Sequence, residues 1–536
     1  MKALTAAEMR EVDRLTTERY GIPGLQLMET AGKHVADAVL REFSPRLPQR
    51  VAVLCGKGNN GGDGLVAARL LHGKVAHVRV LLFGAAEELR GDAKANFQRW
   101  QETGNEITRI ESESAWQSAW PEVAAADAIV DALLGTGLHG PATGVIAQAI
   151  EEINRLSRNA TAPRPALILA VDTPSGLPSD GPAAEGPVLR AHRTVTFTAP
   201  KIGQLISTGS SAVGSLEVRS IGSPSVLIEQ TGKGQVRWAE PEEFAGLPLL
   251  RAADSHKGNF GHVLLIGGSL GKSGALVLAG RAALFAGAGL VTLAAPGQVL
   301  PAVAASQAEY MTFPLAETEV GTISYENLHA AAFGFMLDDK SVLGVGPGVS
   351  VHTETQKFVR ELVQWTERPV VLDADGLNAF VFPDKSLRER KTKFLALTPH
   401  PGEMARLLGS TSAKVQEDRL NVAVEAANRW NAHVVLKGFH TILAGPDGSI
   451  FVNTTGNAGL AKGGSGDVLT GILAALTAQF GTEDWLRILA LGVYLHGFAA
   501  ELATEMIDLS GLLAGDVAGA VPQARLKLLE ELRKSV

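Results

Sequence analysis

Short apolar runs alternate with amphipathic stretches along most of the chain. In the first half RVAVLC (50–55), VRVLLF (78–83), AIVDALL (128–134) and ALILAVD (166–172) have the length and bulk of strands buried on both faces. Helical spacing falls between them, as in GLVAARLLHG (64–73). Strand, helix, strand at this rhythm predicts parallel sheet with crossover helices. The pattern restarts with HVLLIGGS (262–269), GLVTLAA (289–295), SVLGVGPG (341–348), PVVLDADG (369–376), FLALTPHPGE (394–403) and HVVLKG (433–438). Between the two series, residues 221–261 lose the alternation and gather polar and turn residues. The expected class is therefore α/β, with domains at 1–225 and 226–536. No short-period repeat is visible.

Composition changes this picture little. With 46% hydrophobic and 20% charged residues, the 536-residue chain can build more than one core. The 59 glycines and 5% aromatics suit tight strand-to-helix turns over aliphatic cores. A net charge of −7 argues against a nucleic-acid or anionic-membrane partner but leaves room for a local phosphate site. Cys55 is the single cysteine, so no internal disulfide can form, which fits a reducing compartment. The first 21 residues lack the apolar core of a signal peptide. The most apolar stretch, 275–296, carries Arg281 and several glycines, and reads as a buried helix and strand rather than a membrane span. These features together lead to the expectation of a soluble cytoplasmic protein.

Candidate chemistry gathers at strand ends, where open α/β sheets bind their ligands. After the first strand come Gly56, Gly58, Asn59, Asn60, Gly61, Gly62, Asp63 and Gly64, then a helix. One or two glycines would serve a tight turn. Five, with two asparagines and an aspartate, fit a backbone that approaches a phosphate near a helix N-terminus. Asp131 ends another strand ahead of a second glycine-rich loop, and Asp172, Pro174, Ser175 and Gly176 follow a third. Singly, each aspartate reads as a loop or helix cap. Together they offer oxygen ligands for a hard cation and a carboxylate for proton transfer.

In the second half, AKGGSGDVLTG (461–471) sets Gly463, Gly464, Ser465 and Gly466 before Asp467 at the head of an apolar helix. An N-cap would explain the aspartate but not the run before it. A carboxylate there can take a proton from a hydroxyl as that oxygen attacks phosphorus. TPHPGE (398–403) places His400 and Glu403 in a proline-bracketed loop, and LKGFHT (436–441) places Lys437 at a strand end. GVGPGV (344–349) offers backbone to a ligand, and Asp373, Asp375 and Asn378 cluster in DADGLNAF.

These motifs carry a resemblance. GIPGLQLMETAG, GKGNNGGDGLVAARLL, DALLGTGLHGP and VDTPSG resemble the NAD(P)HX epimerase domain over residues 1–222. SHKGNFGHVLLIGGSLGKSGA, LDADGLNAF, LTPHPGEMARLLG, VVLKGFHTIL and NAGLAKGGSGDVLTGILAAL resemble the ADP-dependent NAD(P)HX dehydratase of the ribokinase-like superfamily over residues 235–520. The resemblance implies a Rossmann-like three-layer αβα sandwich followed by a ribokinase-like αβα domain. For the first it implies a hydrated-dinucleotide site of Asn59, Asn60, Gly61, Gly62, Asp63, Gly135, Thr136, Gly137, Leu138, His139, Gly140, Pro141 and Asp172. Asp172 would be the acid/base, and Asn60, Asp131 and Ser175 would surround potassium. For the second it implies Ala275, Gly348, His400 and Asp467 around the hydrated nicotinamide nucleotide. Lys437, Gly438, Phe439, His440, Thr441 and Gly466 would hold ADP, with Asp467 catalytic and Glu403 near magnesium and the phosphates. Expected partners are NADHX, NADPHX and ADP, with neither nucleic acid nor membrane, in a homo-oligomer. The rival reading is a ribokinase-like small-molecule kinase with a non-catalytic N-terminal binding module; retention of Asn60, Asp131, Asp172 and Ser175, together with TPHPGE, favours the repair enzyme.

Overall fold

The structure, a computed structural model, describes all residues except 139, 158–165, 182–183, 233, 382–386, 482–483 and 535–536. Two compact units divide the chain: Lys2–Val236, and Arg237–Val536 with Met1.

The first unit is built on strands β1 (Arg50–Cys55), β2 (His77–Phe83), β3 (Ile107–Ile110), β4 (Ala128–Ala132), β5 (Leu167–Val171), β6 (Arg193–Phe197) and β7 (Ser215–Arg219). They pair in parallel in the order β3-β2-β1-β4-β5-β6-β7. Period-2 alternation explains why the sequence must be apolar on both sides: Val51, Val53 and Cys55 enter one core, while Ala52 and Leu54 enter the other. Three strands do not stand out as apolar runs. β3 and β7 are edges with alternating polar residues, and β6 hides its hydroxyls in hydrogen bonds, Thr194 Oγ1 donating to Val213 O at 2.7 Å.

The second unit contains β8 (Val236–Trp238, apart from its first residue), β9 (His262–Ile266), β10 (Leu290–Pro296), β11 (Met311–Leu315), β12 (Val342–Val345), β13 (Val370–Leu372), β14 (Leu395–Leu397), β15 (His433–Leu436), β16 (Thr441–Ala444) and β17 (Ile450–Asn453). Their order is β11-β10-β9-β12-β13-β14-β15-β16-β17-β8. Pairing is parallel from β11 through β15, then antiparallel at β15–β16 and β16–β17. The apolar stretch 275–296 is a helix (Ser273–Phe285) followed by strand β10, as its glycines and Arg281 imply. Among the described residues, Trp485–Ala503 is the helix long and apolar enough to cross a membrane, and most of it is buried in the core of this unit.

Each sheet reverses its strand order once in a way that opens a crevice at carboxyl ends: between β1 and β4 in the first unit, and between β9 and β12 in the second.

Candidate active sites

In the first unit the crevice is a cavity of about 710 Å³. Asn59, Asn60, Asp63, Gly135, Thr136, Gly137, Leu138 and Asp172 line it. The helix after β1 begins at Asn59, earlier than the glycine run leads one to expect. None of Gly56, Gly58, Gly61, Gly62 and Gly64 has a positive φ. Close packing demands four of them, since a Cβ on Gly61 would lie 1.9 Å from Gly56 O, while a Cβ on Gly58 would meet open space. Gly61 and Gly62 are buried in that helix. Gly140 and Pro141 are exposed and do not line the cavity, and His139 lies outside the described residues.

Asp131 and Ser175 are fully buried and tie two strand ends together. Asp131 accepts from Ser175 N at 2.8 Å and from Ser175 Oγ at 2.6 Å, while Ser175 Oγ accepts from Leu134 N at 2.9 Å. Burial pushes the Asp131 carboxyl up to about 6 even though Ser175 and Leu133 donate to it. Asn60 is buried with both side-chain polar atoms unpartnered. The Asn60 amide packs against Gly135, next to the Leu134 N–H that binds Ser175, and an orphaned oxygen there is the chemistry a hard, weakly hydrated cation would satisfy.

Asp172 sits at φ 61, a left-handed position that a non-glycine residue adopts at a cost. Its carboxylate pairs with the buried Lys201 ammonium and accepts from Thr196 Oγ1 at 3.0 Å, while its carbonyl accepts from Gln204 Nε2 at 2.6 Å. Asp13 and Asp63 face the same charges. Burial, reinforced by Asp172, drives the Asp63 carboxyl well above its ordinary range. Neither Lys201 nor Asp13 stands out from the sequence. Lys201 follows β6, a strand without an apolar run, and Asp13 is one charge among many on an amphipathic helix.

In the second unit the helix after the glycine run spans Ser465–Phe480, and its N-cap is Gly464 at φ 95. Asp467 is therefore not the cap; it stands in the first turn beside free N–H groups. Burial and the Asp373 carboxylate push it up to about 6, against the pull of Lys437. Lys437 Nζ lies 2.7 Å from Asp373 Oδ1, and Asp373 Oδ2 accepts from Thr470 Oγ1 at 2.8 Å. Burial pulls the Lys437 ammonium down, but Asp373 and Glu403 outweigh it and the net direction is up. A Cβ on Gly466 would come 3.2 Å from Lys437 Nζ, so backbone and ammonium face one space.

TPHPGE is not a free loop. His400 caps the helix Pro401–Leu408, its Nδ1 accepting from Gly402 N at 3.0 Å, and Glu403 returns a bond from His400 N at 2.8 Å. The exposed His400 edge is held in place by that cap. Ala275 and Gly348 are neighbours: a Cβ on Gly348 would be 3.3 Å from that of Ala275. After β15, Gly438 (φ 150) and His440 (φ 55) bend the chain, and Phe439 projects, 61% exposed, with the His440 ring stacked on it at 4.0 Å; Thr441 opens β16. Arg419 braces this loop, donating to the Leu436 and Phe439 carbonyls. Its role is invisible in the sequence because it contacts backbone across a helix–strand turn.

Comparison with known proteins places the chain among nicotinamide-nucleotide repair proteins along its whole length. A family model described as YjeF-related protein N-terminus matches residues 24–203, and one described as NAD(P)H-hydrate dehydratase matches residues 263–523. The bifunctional NAD(P)H-hydrate repair enzyme of Moorella thermoacetica is 42% identical, covering 100% of this chain and 99% of its own. That of Escherichia coli is 35% identical, covering 96% and 92%. A solved ADP/ATP-dependent NAD(P)H-hydrate dehydratase from Bacillus subtilis, co-crystallized with ATP/Mg2+, is 31% identical over 55% of this chain and 99% of its own, with a TM-score of 0.47. With full-length identity at this level, the chain belongs to the bifunctional NAD(P)H-hydrate repair enzymes.

Proposed function

We propose that the two units divide the repair of hydrated nicotinamide nucleotides. Lys2–Val236 interconverts the R and S epimers of NADHX and NADPHX. Arg237–Val536 dehydrates the S epimer with ADP, giving NAD(P)H, AMP and phosphate. One observation carries the reading: each unit sets a carboxylate of the family motifs within the field of a lysine ammonium at its strand ends, Asp172 paired with the buried Lys201 and Asp467 facing the half-buried Lys437.

The hydrate carries a hydroxyl on C6, next to the ring nitrogen. Asp172 accepts the hydroxyl proton, which frees C6 to invert through ring opening and reclosure. Lys201 and Thr196 donate to that carboxylate and fix its position. Asn60, Asp131 and Ser175 would hold potassium, whose charge offsets the buried Asp131 carboxylate.

In the second unit Asp467 accepts the C6 hydroxyl proton as that oxygen attacks the terminal phosphorus of ADP. Phosphate, a far better leaving group than hydroxide, then departs as the nitrogen lone pair pushes in. Loss of a C5 proton restores the dihydronicotinamide. Ala275, Gly348 and His400 face the nicotinamide nucleotide, while Lys437–Thr441 and Gly466 hold ADP. No cluster of three His, Cys, Asp or Glu side chains fit to hold a metal occurs among the described residues. Magnesium would ride on the nucleotide phosphates near Glu403, supplying charge neutralisation. A homo-oligomer in the cytoplasm is the expected working form, which light scattering on the purified chain tests.

The deciding experiment follows nicotinamide absorbance from a mixture of both NADHX epimers with ADP and magnesium. Wild type recovers the whole pool. Asp172→Ala stalls near the S fraction, and Asp467→Ala shows background only. No recovery by wild type with ADP or ATP, or accumulation of a stable phosphorylated product, overturns the reading.

A further inference from the structure

Epimerisation through an opened ring needs two proton transfers, not one. When the C6–N1 bond breaks, its electron pair goes to nitrogen, which must gain a proton. The hydroxyl loses its proton, and C6 becomes an aldehyde carbon. Rotation about C5–C6 and reclosure on the other face return both protons. Asp172 accounts for the hydroxyl side only. We propose that Asp13 is the second catalytic residue of this cavity, giving a proton to the ring nitrogen on opening and recovering it on closing; this rests on the epimerase reading above.

The geometry distinguishes the two aspartates. Both line the cavity. Asp172 is surrounded by donors, with Lys201 and Thr196 on its carboxylate. Asp13 Oδ1 is buried with no hydrogen-bond partner, which disfavours the charged form. Its helix, Ala6–Tyr20, is fixed in place: Thr5 and Glu8 close a capping box, and Met9, Val12 and Leu15 enter a small core. The backbone that carries Asp13 is therefore anchored on its other face.

Charge around Asp13 points the same way. Lys201 follows β6, Asp172 follows β5, Asp63 lies on the helix Asn59–Leu71, and Asp92 lies on the helix Gly91–Gln101. On its own helix Arg10 and Arg14 line the cavity, and Arg14 is paired with Glu11 and Glu18. Lys57 also lines it but is paired with Glu88. Burial pushes the Asp13 carboxyl up to about 6, with Asp172 adding and Lys201 opposing. Two carboxylates with opposed surroundings, one paired with a buried ammonium and one desolvated without a hydrogen-bond partner on Oδ1, are how a single site supplies both a base and an acid.

The test uses the full chain and R-enriched NADHX, reading epimerisation separately from dehydration of pure S-NADHX. Asp13→Asn is expected to slow epimerisation about 100-fold and leave S-NADHX dehydration unchanged. Wild-type epimerase kcat/KM should fall as pH rises through the Asp13 titration near 6, and Asp13→Asn should lose that limb. Asp13→Glu, which keeps an acid, should regain about tenfold of the loss and retain the limb. The proposal is overturned if Asp13→Asn stays within about threefold of wild type. It is equally overturned if the variant is slow but keeps the limb, if Asp13→Glu is no better than Asp13→Asn, or if the limb disappears in Asp63→Asn instead. Wild type that fails to epimerise at all sinks the epimerase reading itself, which is a different result.

Discussion

Both sites hold more carboxylates than ammonium groups, yet the two units use the surplus differently. Around Lys201 stand Asp13, Asp63 and Asp172; around Lys437 stand Asp373, Glu403 and Asp467. In the second unit two of the three acids are occupied: Asp373 binds Lys437 and Thr470, and Glu403 binds the His400 N–H. On the proposed reading, that leaves Asp467 to act alone, next to the nucleotide phosphates and their magnesium. Of the three around Lys201, only Asp172 is paired with it, and burial pushes the Asp13 and Asp63 carboxyls up. Neutralisation by protons suits a reaction that only shuffles protons, whereas neutralisation by a metal suits phosphoryl transfer.

The largest effect should come from removing the lone acid. Asp467→Asn is expected to cut dehydration about 1000-fold or more while epimerisation persists, read by separate assays on S- and R-NADHX. Its pH dependence has a definite sign. As a base Asp467 must be ionised, and its carboxyl is pushed up to about 6, so dehydratase kcat/KM should be level above that pH and fall as pH drops through it. The epimerase should show the reverse limb, and matching limbs in the two units would break the contrast.

Next in size is the clamp. Lys201→Met removes the ammonium that pairs with Asp172 and leaves that carboxylate without its counter-charge. Epimerisation should drop about 100-fold, with some loss of stability in Lys2–Val236 and no change in S-NADHX dehydration. A drop in dehydration as large as in epimerisation would show that the two sites are not independent. Smaller still is the cation: exchanging potassium for lithium should slow epimerisation about tenfold and leave dehydration at saturating magnesium unaltered.

How much of this could be read in the sequence follows from how each residue does its work. Buried parallel strands write themselves as apolar runs, so β1, β2, β4, β5 and most of β9 to β15 were legible. β3, β6 and β7 were not, because edge exposure or hydrogen-bonded threonines interrupt the apolar signal. Motif residues in glycine runs were visible because glycine at such density has few other uses, although at Gly61 the use is packing between helix and loop. Lys201, Arg419 and Asp13 were hidden for a different reason. Each acts on a group distant in sequence, and its own surroundings look like an ordinary surface or turn. His400 was seen as a site residue, but its capping role, which fixes where the ring can go, appears only with the backbone.

The smallest predicted effect probes the support beneath the comparison. Thr5 caps the helix that carries Asp13: its Oγ1 accepts from Glu8 N at 3.2 Å, and its N donates to Glu8 Oε2 at 2.9 Å. Thr5→Ala should cost about 1 kcal/mol, seen as a Tm lower by about 2–4 °C for unfolding of the first unit. Because Met9, Val12 and Leu15 still anchor the helix, epimerisation at 25 °C should fall by less than about threefold and keep its pH profile. A Tm loss of the expected size with a much larger fall in epimerisation, cured by Asp13→Glu but not by stabilising substitutions elsewhere, would mean that the cap positions the carboxyl directly. The helix would then be part of the catalytic apparatus, whereas in the second unit the Asp467 helix has no side-chain cap and depends on Gly464 to start its turn.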